Sequence, residues 1–325
     1  MTDPGSDPQA GGAEVRLANP RGFCAGVERA IEIVERALAL HGAPVYVFHE
    51  IVHNRRVLDD LSSRGVVFVE DLDQVPEGAV AIFSAHGVSD SVEEHARRRN
   101  LRAIDATCPL VTKVHKQAIG FGEEGRDLVL IGHVGHPEVE GILGKAQGRV
   151  QVISTVAEAN ALRVRDPDKL AYVTQTALSV DDTRDVIEVL QRRFPSIRGP
   201  QLKDICYATQ NRQNAVRELL QDVQLLLVVG SRNSSNSNRL REMGERAGVP
   251  AHLVDGPEDV RPEWVAGVER VGLTAGASAP EELVREVLDR LRELGVQRGS
   301  ELQGEPENTV SKMPPELARL GEPGR

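Results

Sequence analysis

The chain has 325 residues, of which 40% are hydrophobic and 27% are charged, and its formal net charge at pH 7 is −10. This length and composition are typical of a folded protein with two or three cores and exclude wholesale disorder. The acidic balance argues against a nucleic-acid-binding surface, and apolar runs such as 225–229 are far too short to cross a bilayer, so we expect no membrane span.

The first residues of the chain predict a tail. Residues 1–14 are rich in Gly, Pro, Asp and Ser, and they lack the basic start and the apolar stretch of a secretory signal. We therefore expect a disordered tail on a cytoplasmic protein. A first short strand is predicted at residues 15–18, and Cys24 follows it.

Three cysteines, Cys24, Cys108 and Cys206, divide the chain into similar stretches. An odd and sparse set without a C-x-x-C pair indicates neither a disulfide framework nor an ordinary structural zinc ribbon. Three unrelated buried thiols are the plain alternative. The similar spacing, however, predicts an internal repeat.

Each cysteine is followed by the same predicted order of elements: helix, strand, polar loop, helix, strand, polar loop and helix. The first helix shows the pattern clearly, because its apolar residues between 25 and 38 lie on one face. The predicted strands are residues 45–48, 79–83, 128–131, 170–173, 225–229 and 268–273. Strands that alternate with helices form parallel sheets whose loops gather at the carboxyl ends of the strands.

A further strand is predicted before each cysteine, at residues 15–18, 101–104 and 201–205. No strand-like run follows the last helix, because residues 296–325 are polar and rich in Pro and Gly. We therefore expect the N-terminal strand to complete the third sheet and to tie the three units into a ring. The predicted boundaries are a tail at 1–14, the strand and cysteine loop at 15–25, three α/β domains at 26–109, 110–202 and 203–298, and a polar tail at 299–325.

In such a ring each cysteine lies at the start of a helix, so the three thiols converge on a pseudo-threefold axis. The positive end of each helix is expected to lower the thiol pKa and to favour the thiolate. Three convergent thiolates suit an iron–sulfur cluster, whose usual complement is four, and leave one iron open to a substrate. The predicted fold class is therefore α/β, with three similar small parallel-sheet domains in a pseudo-threefold trefoil around a central iron–sulfur site.

Six polar loops at the strand ends face the same axis. Their candidate ligand-binding residues are His53, His86, His136, Thr176, Ser234, Ser235, Asn236 and Ser278. Glycine in these loops allows a close backbone approach, and His, Ser, Thr and Asn donate hydrogen bonds to phosphate oxygens. Helix capping explains any single loop, but six loops at matched offsets from the cysteines predict a site for a phosphorylated ligand.

The segment from His49 to His53 is a literal H-E-x-x-H, the zinc-protease pattern. That pattern binds zinc from a helix. Here it directly follows a β-type run, so we interpret it as the end of a strand and its loop rather than as a zinc site.

Glu138 stands in a loop of glycine and histidine. A carboxyl group beside a cluster and a bound anion keeps a raised pKa and can serve as a general acid. The alternative is a solvated Glu at a helix start, stabilised by the helix dipole, and we assign that role to Glu140.

Nine segments in chain order contain the residues discussed above. They are Asn19-Pro-Arg-Gly-Phe-Cys24, His49-Glu-Ile-Val-His53, Phe83-Ser-Ala-His86-Gly, Asp105-Ala-Thr-Cys108-Pro, Gly135-His-Pro-Glu138-Val-Glu-Gly, Thr174-Gln-Thr176, Asp204-Ile-Cys206, Gly230-Ser-Arg-Asn-Ser234-Ser-Asn236 and Thr274-Ala-Gly-Ala-Ser278. With these segments the chain resembles the LytB/IspH family of 4-hydroxy-3-methylbut-2-enyl diphosphate reductases, which perform the last step of the non-mevalonate isoprenoid pathway. The resemblance covers about residues 15–295, without a departure at a functional position.

The resemblance implies one 4Fe–4S cluster per chain, held by Cys24, Cys108 and Cys206. It also implies a diphosphate site formed by His53, His86, His136, Ser234, Ser235, Asn236 and Ser278. Glu138 would donate the proton, and Thr176 would lie near the substrate hydroxyl that the open iron binds.

The reaction that the resemblance implies yields isopentenyl and dimethylallyl diphosphate. We expect single electrons to arrive from a ferredoxin or a flavodoxin. We also expect a monomer in the cytoplasm, without a nucleic-acid or membrane partner.

Two other classes of protein stay open. An iron–sulfur hydro-lyase would use the open iron without net redox chemistry, so its turnover would need no reductant. A non-catalytic cluster sensor would turn over no allylic diphosphate, and the acidic charge of the chain disfavours a DNA-binding sensor.

Overall fold

The computed structural model describes residues 13–200, 203–304, 306–309 and 311–318. Within these residues the strands form three separate parallel sheets with helices packed against them. The α/β class and the three small parallel sheets that the repeat predicts are therefore confirmed. Most of the predicted N-terminal tail, residues 1–12, lies outside the described residues, and Glu14 already belongs to the first strand.

The first unit contains four strands and three helices. These are α1 (Ala25–His41), β2 (Val45–Phe48), α2 (Arg55–Ser63), β3 (Val66–Val69), β4 (Val80–Phe83), α3 (Asp90–Arg98) and β5 (Arg102–Asp105). The strand order is β3-β2-β4-β5. α1 packs on this sheet through Ala30, Ile33, Val34 and Ala37, which the helical period brings to one face.

The second unit contains three strands and four helices. These are α4 (Pro109–Glu123), β6 (Asp127–Ile131), α5 (Pro137–Lys145), β7 (Val150–Ile153), α6 (Val156–Ala161), β8 (Leu170–Thr174) and α7 (Val180–Arg193). The strand order is β7-β6-β8. β6 and β8 are almost entirely buried, as is typical of parallel strands covered on both faces.

The third unit also includes strands from both ends of the described chain. Its elements are α8 (Tyr207–Leu219), β9 (Leu225–Val229), α9 (Ser235–Arg246), β10 (Ala251–Val254), α10 (Pro262–Val265), β11 (Arg270–Ala275), α11 (Glu281–Glu293), β12 (Gln297–Glu301) and the N-terminal strand β1 (Glu14–Leu17). The strand order is β10-β9-β11-β1-β12. β1 thus lies inside the third sheet, where Val15 and Leu17 are buried in its core.

Each unit contains one short strand that the repeat does not predict. β3, β7 and β10 follow the second helix of their units and form outer strands of the three sheets. Each has only four residues, and so short a run shows too little periodicity to be separated from a loop.

Two of the three strands expected before the cysteines are present, each beside the strand that precedes it along its sheet. β5 pairs with β4 before Cys108, and β1 pairs with β11 before Cys24. The strand expected at 201–205 is absent from the described part of that range, which forms a turn. A single β-bridge between Ala171 and Arg198 takes its place beside β8.

The segment after α11 is not the tail that its polar sequence predicts. Gln297–Glu301 forms β12, which pairs with β1 in parallel at the outer edge of the third sheet. An exposed edge strand needs no apolar pattern, so its composition does not reveal it. Farther along, Glu307 pairs with Arg212 of α8, and Leu317 is buried in the core of the first unit.

The described helices are short, and most bury one face. α1, with 17 residues, is the longest of them. None is both long and apolar enough to span a membrane.

Candidate functional site

One cavity lies where the three units meet. Its lining includes every candidate site residue from the sequence, namely Cys24, Cys108, Cys206, His53, His86, His136, Glu138, Thr176, Ser234, Ser235, Asn236 and Ser278. The central strands of all three sheets end toward this space, because parallel strands present their following loops at one edge. Residues that are far apart in the chain therefore share one site.

The three cysteines occupy equivalent positions. Each is the N-cap residue of a helix, in α1, α4 and α8. Their backbone N–H groups donate to carbonyl oxygens in strand-end loops, in bonds of 3.3 Å from Cys24 to Ala277, 3.0 Å from Cys108 to Ala85 and 3.1 Å from Cys206 to Thr176. These loops follow β11, β4 and β8, so the same contact fixes each helix start to its neighbouring strand.

The space between the thiols fits an iron–sulfur group. A Cβ atom added to Gly26, in the first turn of α1, would lie 2.8 Å from Cys108 Sγ and 3.8 Å from Cys24 Sγ. Only glycine leaves the room that the sulfur atoms occupy. At the third position, Cys206 Sγ accepts a hydrogen bond of 3.2 Å from the backbone N–H of Thr209. Three sulfur donors around one space are a ligand set for an iron–sulfur cluster.

Burial raises the pKa of two of the free thiols, Cys108 and Cys206, instead of lowering it. The pKa of Cys108 is raised to about 11 and that of Cys206 to about 12, mainly because burial disfavours the charged form, and the nearby Cys24 adds to both shifts. The expectation that the helix starts lower the thiol pKa is therefore wrong for the free thiols of Cys108 and Cys206, since desolvation outweighs the stabilising groups at the helix start. Metal ligation deprotonates a thiol outright, so cluster binding would release these protons.

Three histidines form a cluster on the cavity wall. The rings of His53 and His86 are stacked with centroids 4.2 Å apart, and the ring of His136 stands edge-on at 5.5 and 5.7 Å from them. Burial, followed by the neighbouring imidazoles, lowers the pKa of His86 well below 6.5 and that of His136 to about 4. A bound anion would reverse this effect, because it favours the protonated ring.

Neighbouring groups fix the ring nitrogens of two of these histidines. Nδ1 of His53 lies 2.7 Å from Glu50 Oε2, which also accepts a hydrogen bond from Asn233. Nε2 of His53 is buried without a partner among the described residues. Nδ1 of His136 accepts the backbone N–H of Glu138 at 3.1 Å, so the neutral ring carries its proton on Nε2. Both histidines therefore have an Nε2 available to a ligand.

The third unit contributes hydroxyl and amide groups. Ser234 caps α9, and Ser278 donates a 2.8 Å hydrogen bond to the carbonyl oxygen of His53. Oδ1 of Asn236 accepts the backbone N–H of Ala277 at 2.8 Å, whereas its Nδ2 is buried without a partner among the described residues. A buried donor without an acceptor costs free energy, and an anionic ligand would satisfy it.

Glu138 is a buried carboxyl group, only 2% exposed. Its Oε1 accepts the backbone N–H of Thr176 at 2.7 Å, and its Oε2 accepts the hydroxyl of the same residue at 3.0 Å. Burial raises its pKa to about 7, against the effect of these bonds and with a further contribution from Asp204. A carboxyl group that holds its proton up to about pH 7 thus lies on the cavity wall.

The sequence analysis missed two supporting carboxylates, Glu50 and Asp204. Asp204 is buried, accepts the backbone N–H of Thr174 at 3.4 Å and lies 3.4 Å from the Lys113 ammonium. Burial raises its pKa. A charged residue just before a ligand cysteine is the signal that could have found it, and Asp105 stands similarly before the second cysteine.

The H-E-x-x-H segment is not a zinc site. β2 ends at Phe48, and the next helix begins only at Arg55, so the segment lies in a loop. His49 and His53 bind different carboxylates, Glu70 and Glu50, each at 2.7 Å. The helical geometry that zinc binding by this pattern requires is missing.

Comparison with known proteins finds relatives along nearly the whole chain. A family model described as LytB protein matches residues 15–292. The 4-hydroxy-3-methylbut-2-enyl diphosphate reductase of Ectopseudomonas mendocina (strain ymp) is 58% identical over 307 residues, which are 93% of this chain and 98% of that protein. A protein of the same name from Azotobacter vinelandii (strain DJ / ATCC BAA-1303) matches with the same identity and coverage.

Two solved structures have a similar fold. The E-1-hydroxy-2-methyl-but-2-enyl-4-diphosphate reductase from Plasmodium falciparum matches with a TM-score of 0.90 at 37% identity, over 94% of this chain and 97% of that one. A structure of (E)-4-hydroxy-3-methyl-but-2-enyl diphosphate reductase, described as the terminal enzyme of the non-mevalonate pathway, matches with a TM-score of 0.60 at 31% identity, over 86% of this chain and 99% of that one.

Proposed function

The chain belongs to the LytB family of 4-hydroxy-3-methylbut-2-enyl diphosphate reductases, and from this premise we propose how its residues perform the family's reaction. It is an oxidoreductase of the non-mevalonate isoprenoid pathway. The reaction takes up two electrons and two protons, breaks the allylic C4–O bond and releases water together with isopentenyl or dimethylallyl diphosphate. One observation carries the proposal: a carboxyl group that keeps its proton near neutral pH shares a cavity with three N-cap cysteines and a histidine cluster.

Cys24, Cys108 and Cys206 would hold one 4Fe–4S cluster per chain. The room beside Gly26 and the equivalent helix starts support this ligand set. When bound, the cluster supplies single electrons and one iron that lacks a protein ligand.

The loop residues of the cavity would bind the diphosphate. His86 and His136, whose pKa values burial lowers, can each gain a proton beside an anion, and the N-terminus of α9 offers backbone N–H groups as well as the Ser234 hydroxyl. The unpartnered amide group of Asn236 is a donor already in place, and Nε2 of His53 is likewise buried without a partner among the described residues. The proposed set is His53, His86, His136, Ser234, Ser235, Asn236 and Ser278.

Glu138 and Thr176 would move the proton. When Glu138 is ionised, the Thr176 hydroxyl donates to its Oε2. When Glu138 is protonated, this bond can reverse, so that Glu138 donates to Thr176 Oγ1 and the threonine hydroxyl becomes free to donate to the departing hydroxyl of the substrate.

A ferredoxin or a flavodoxin would supply the electrons, one at a time. The site is buried among three units, so a protein donor must act through the protein surface. The expectations of a cytoplasmic location and of a monomer stay predictions.

Anaerobic reconstitution with iron and sulfide tests the proposal. We expect visible absorbance of an iron–sulfur cluster, a spectral change when the allylic diphosphate is added, and turnover only with a reductant. Turnover without a reductant would indicate a hydro-lyase instead, and a cluster spectrum without any turnover would indicate a sensor.

The variant Cys108→Ser tests the ligand set. We expect it to lose the visible absorbance and the activity together, because a thiolate is removed from the three-sulfur site. Thr112→Ser, one turn along α4, is the matched control and should retain both. A fully active Cys108→Ser enzyme would show that Cys108 is not a ligand of the cluster.

A further inference from the structure

A second concave surface lies on the outer side of the Cys108 segment. We call it the cationic groove; Arg29, Asp105, Thr107, Pro109, Lys113 and Lys116 line it. Three of these residues are cations and one is a carboxylate. The whole chain carries a net charge of −10, so the sign of this groove is opposite to that of the molecule.

The carboxylate in the groove is already satisfied from within the chain. Oδ1 of Asp105 accepts the backbone N–H of Thr107 at 2.8 Å and its hydroxyl at 2.5 Å. Arg29 contacts no carboxylate among the described residues and instead donates to backbone carbonyls, including that of Lys312 at 2.6 Å. Its positive charge is therefore not neutralised by a carboxylate of the described chain.

The two lysines of the groove extend the positive surface along α4. Lys113 donates to the carbonyl oxygen of Lys203 at 2.7 Å and lies near the buried Asp204. Lys116 is exposed and has no ion pair with any residue that the structure describes. Lys203 and Lys312 are themselves exposed beside these contacts. Lys113 is thus paired with a carboxylate, whereas Arg29 and Lys116 are the cations of the groove that an acidic surface would find without one among the described residues.

The groove and the site cavity share one wall. Thr107 and Pro109 line the groove, while Cys108 between them lines the cavity. Thr112, at the groove, also donates its backbone N–H to the carbonyl oxygen of Cys108 at 2.9 Å. The groove is thus separated from a proposed cluster ligand by a single residue of backbone.

We propose that the cationic groove is the docking surface for the electron donor, a one-electron carrier protein whose redox centre is surrounded by carboxylates. This inference rests on the proposed reductase function. In each encounter one carrier is oxidised, and its electron passes through the Cys108 segment that separates the groove from the cavity. Two encounters supply the two electrons that are needed to break the C4–O bond. Opposite charges steer such weak, transient complexes, whereas the net negative charge of the remaining surface repels an acidic carrier.

Charge reversal at Lys116 tests the docking surface. The reconstituted Lys116→Glu enzyme is compared with the wild type, first with reduced flavodoxin as donor and then with dithionite and methyl viologen. We expect kcat/KM for flavodoxin to fall by about tenfold at low salt, a size typical of lost electrostatic steering. The rate with the small reductants should stay unchanged, because they need no docking surface.

Lys169→Glu is the matched control. Lys169 is also exposed and without an ion pair among the described residues, and it precedes β8 at the end of the sheet away from the site. It produces the same change in net charge, so a loss equal to that of Lys116→Glu would overturn the proposal, as would an unchanged rate in Lys116→Glu. Added salt should reduce the difference between wild type and Lys116→Glu.

The rates with dithionite and methyl viologen distinguish a failure of the reductase function from a failure of the docking site. If the wild type turns over no allylic diphosphate with dithionite and methyl viologen, the reductase function fails. If it does so normally and flavodoxin serves Lys116→Glu and wild type equally, only the docking site fails. Cluster absorbance of each variant shows that it has folded and is loaded.

Discussion

Glu138 illustrates how the surroundings of a single residue determine its chemistry. Two hydrogen bonds from Thr176 favour the carboxylate, but burial raises the pKa to about 7 all the same. The same two bonds hold the carboxyl group beside the hydroxyl that would relay its proton. Desolvation therefore provides the acid, and the hydrogen bonds provide its position.

Replacing Glu138 by Gln separates these two contributions. The amide keeps the shape of the side chain but has no proton to transfer. We expect turnover to fall by at least about 10²-fold, the usual contribution of a general acid, while the allylic diphosphate still binds. Steady-state kinetics and a binding titration check this, and a change in affinity alone would contradict the role of Glu138.

The raised pKa also predicts how activity depends on pH. Glu138 loses its proton as the pH rises through about 7, so kcat/KM should decline above that value. The folded chain holds this proton between 4.5 and about 7, where the unfolded chain has released it, so folding stability should fall as the pH rises through that range. Glu138→Gln should flatten the stability profile there. Phosphorus NMR of the substrate distinguishes its own titration from that of the enzyme.

At the scale of elements, each cysteine lies at the start of a helix and at the edge of a sheet. β1 supplies this arrangement for Cys24, although it lies in the third sheet and its cysteine begins α1 of the first unit. β5 does the same for Cys108 within the first unit. The N-terminal strand therefore joins two units as well as completing a sheet.

A variant without residues 1–19 tests this link. Removing β1 takes Val15 and Leu17 out of the third core, a loss of roughly 3 kcal/mol or more of hydrophobic stabilisation. We expect hydrogen exchange to accelerate in β11 and β12, which flank β1, and to stay unchanged in β6 and β8. A variant without residues 1–12 is the control. Faster exchange confined to the first unit would contradict the prediction.

Some of these elements could be predicted from the sequence, and others could not. α1 has a complete apolar face over 17 residues, and parallel strands oblige the loops with His53, His86 and His136 to meet. β12 is polar because it lies at an exposed edge, so no hydrophobic pattern marks it. The pKa of Cys206 was also beyond prediction, since it depends on how deeply packing buries the thiol.

At the scale of the whole molecule, the end of the described chain connects the third unit to the first. After β12, Glu307 pairs with Arg212 of α8, and Lys312 accepts a hydrogen bond from Arg29 of α1. Leu317 then enters the first core, where Arg36 donates to its carbonyl oxygen at 3.1 Å. The segment thereby crosses two of the three helices that begin at cysteines.

Leu317→Ala measures the strength of this connection. Leu317 is fully buried, so we expect the free energy of unfolding to fall by about 2 to 5 kcal/mol, as for other buried leucines. The exposed neighbouring change Glu316→Ala should have little effect. Equal stability of the two variants in urea denaturation would mean that the segment does not support the first unit.

The N-terminal strand inside the third sheet has a consequence for how the gene can be divided. The first and the middle repeats each encode their whole sheet in one continuous stretch, β2 to β5 and β6 to β8, whereas the sheet of the last repeat includes β1 from the other end of the described chain. A fragment with the last repeat alone would lack β1, an internal strand of its sheet. A fragment with the first repeat alone would lack Leu317, which is buried in its core. Split versions of such a protein would have to reassemble by exchanging strands, as domain-swapped oligomers do.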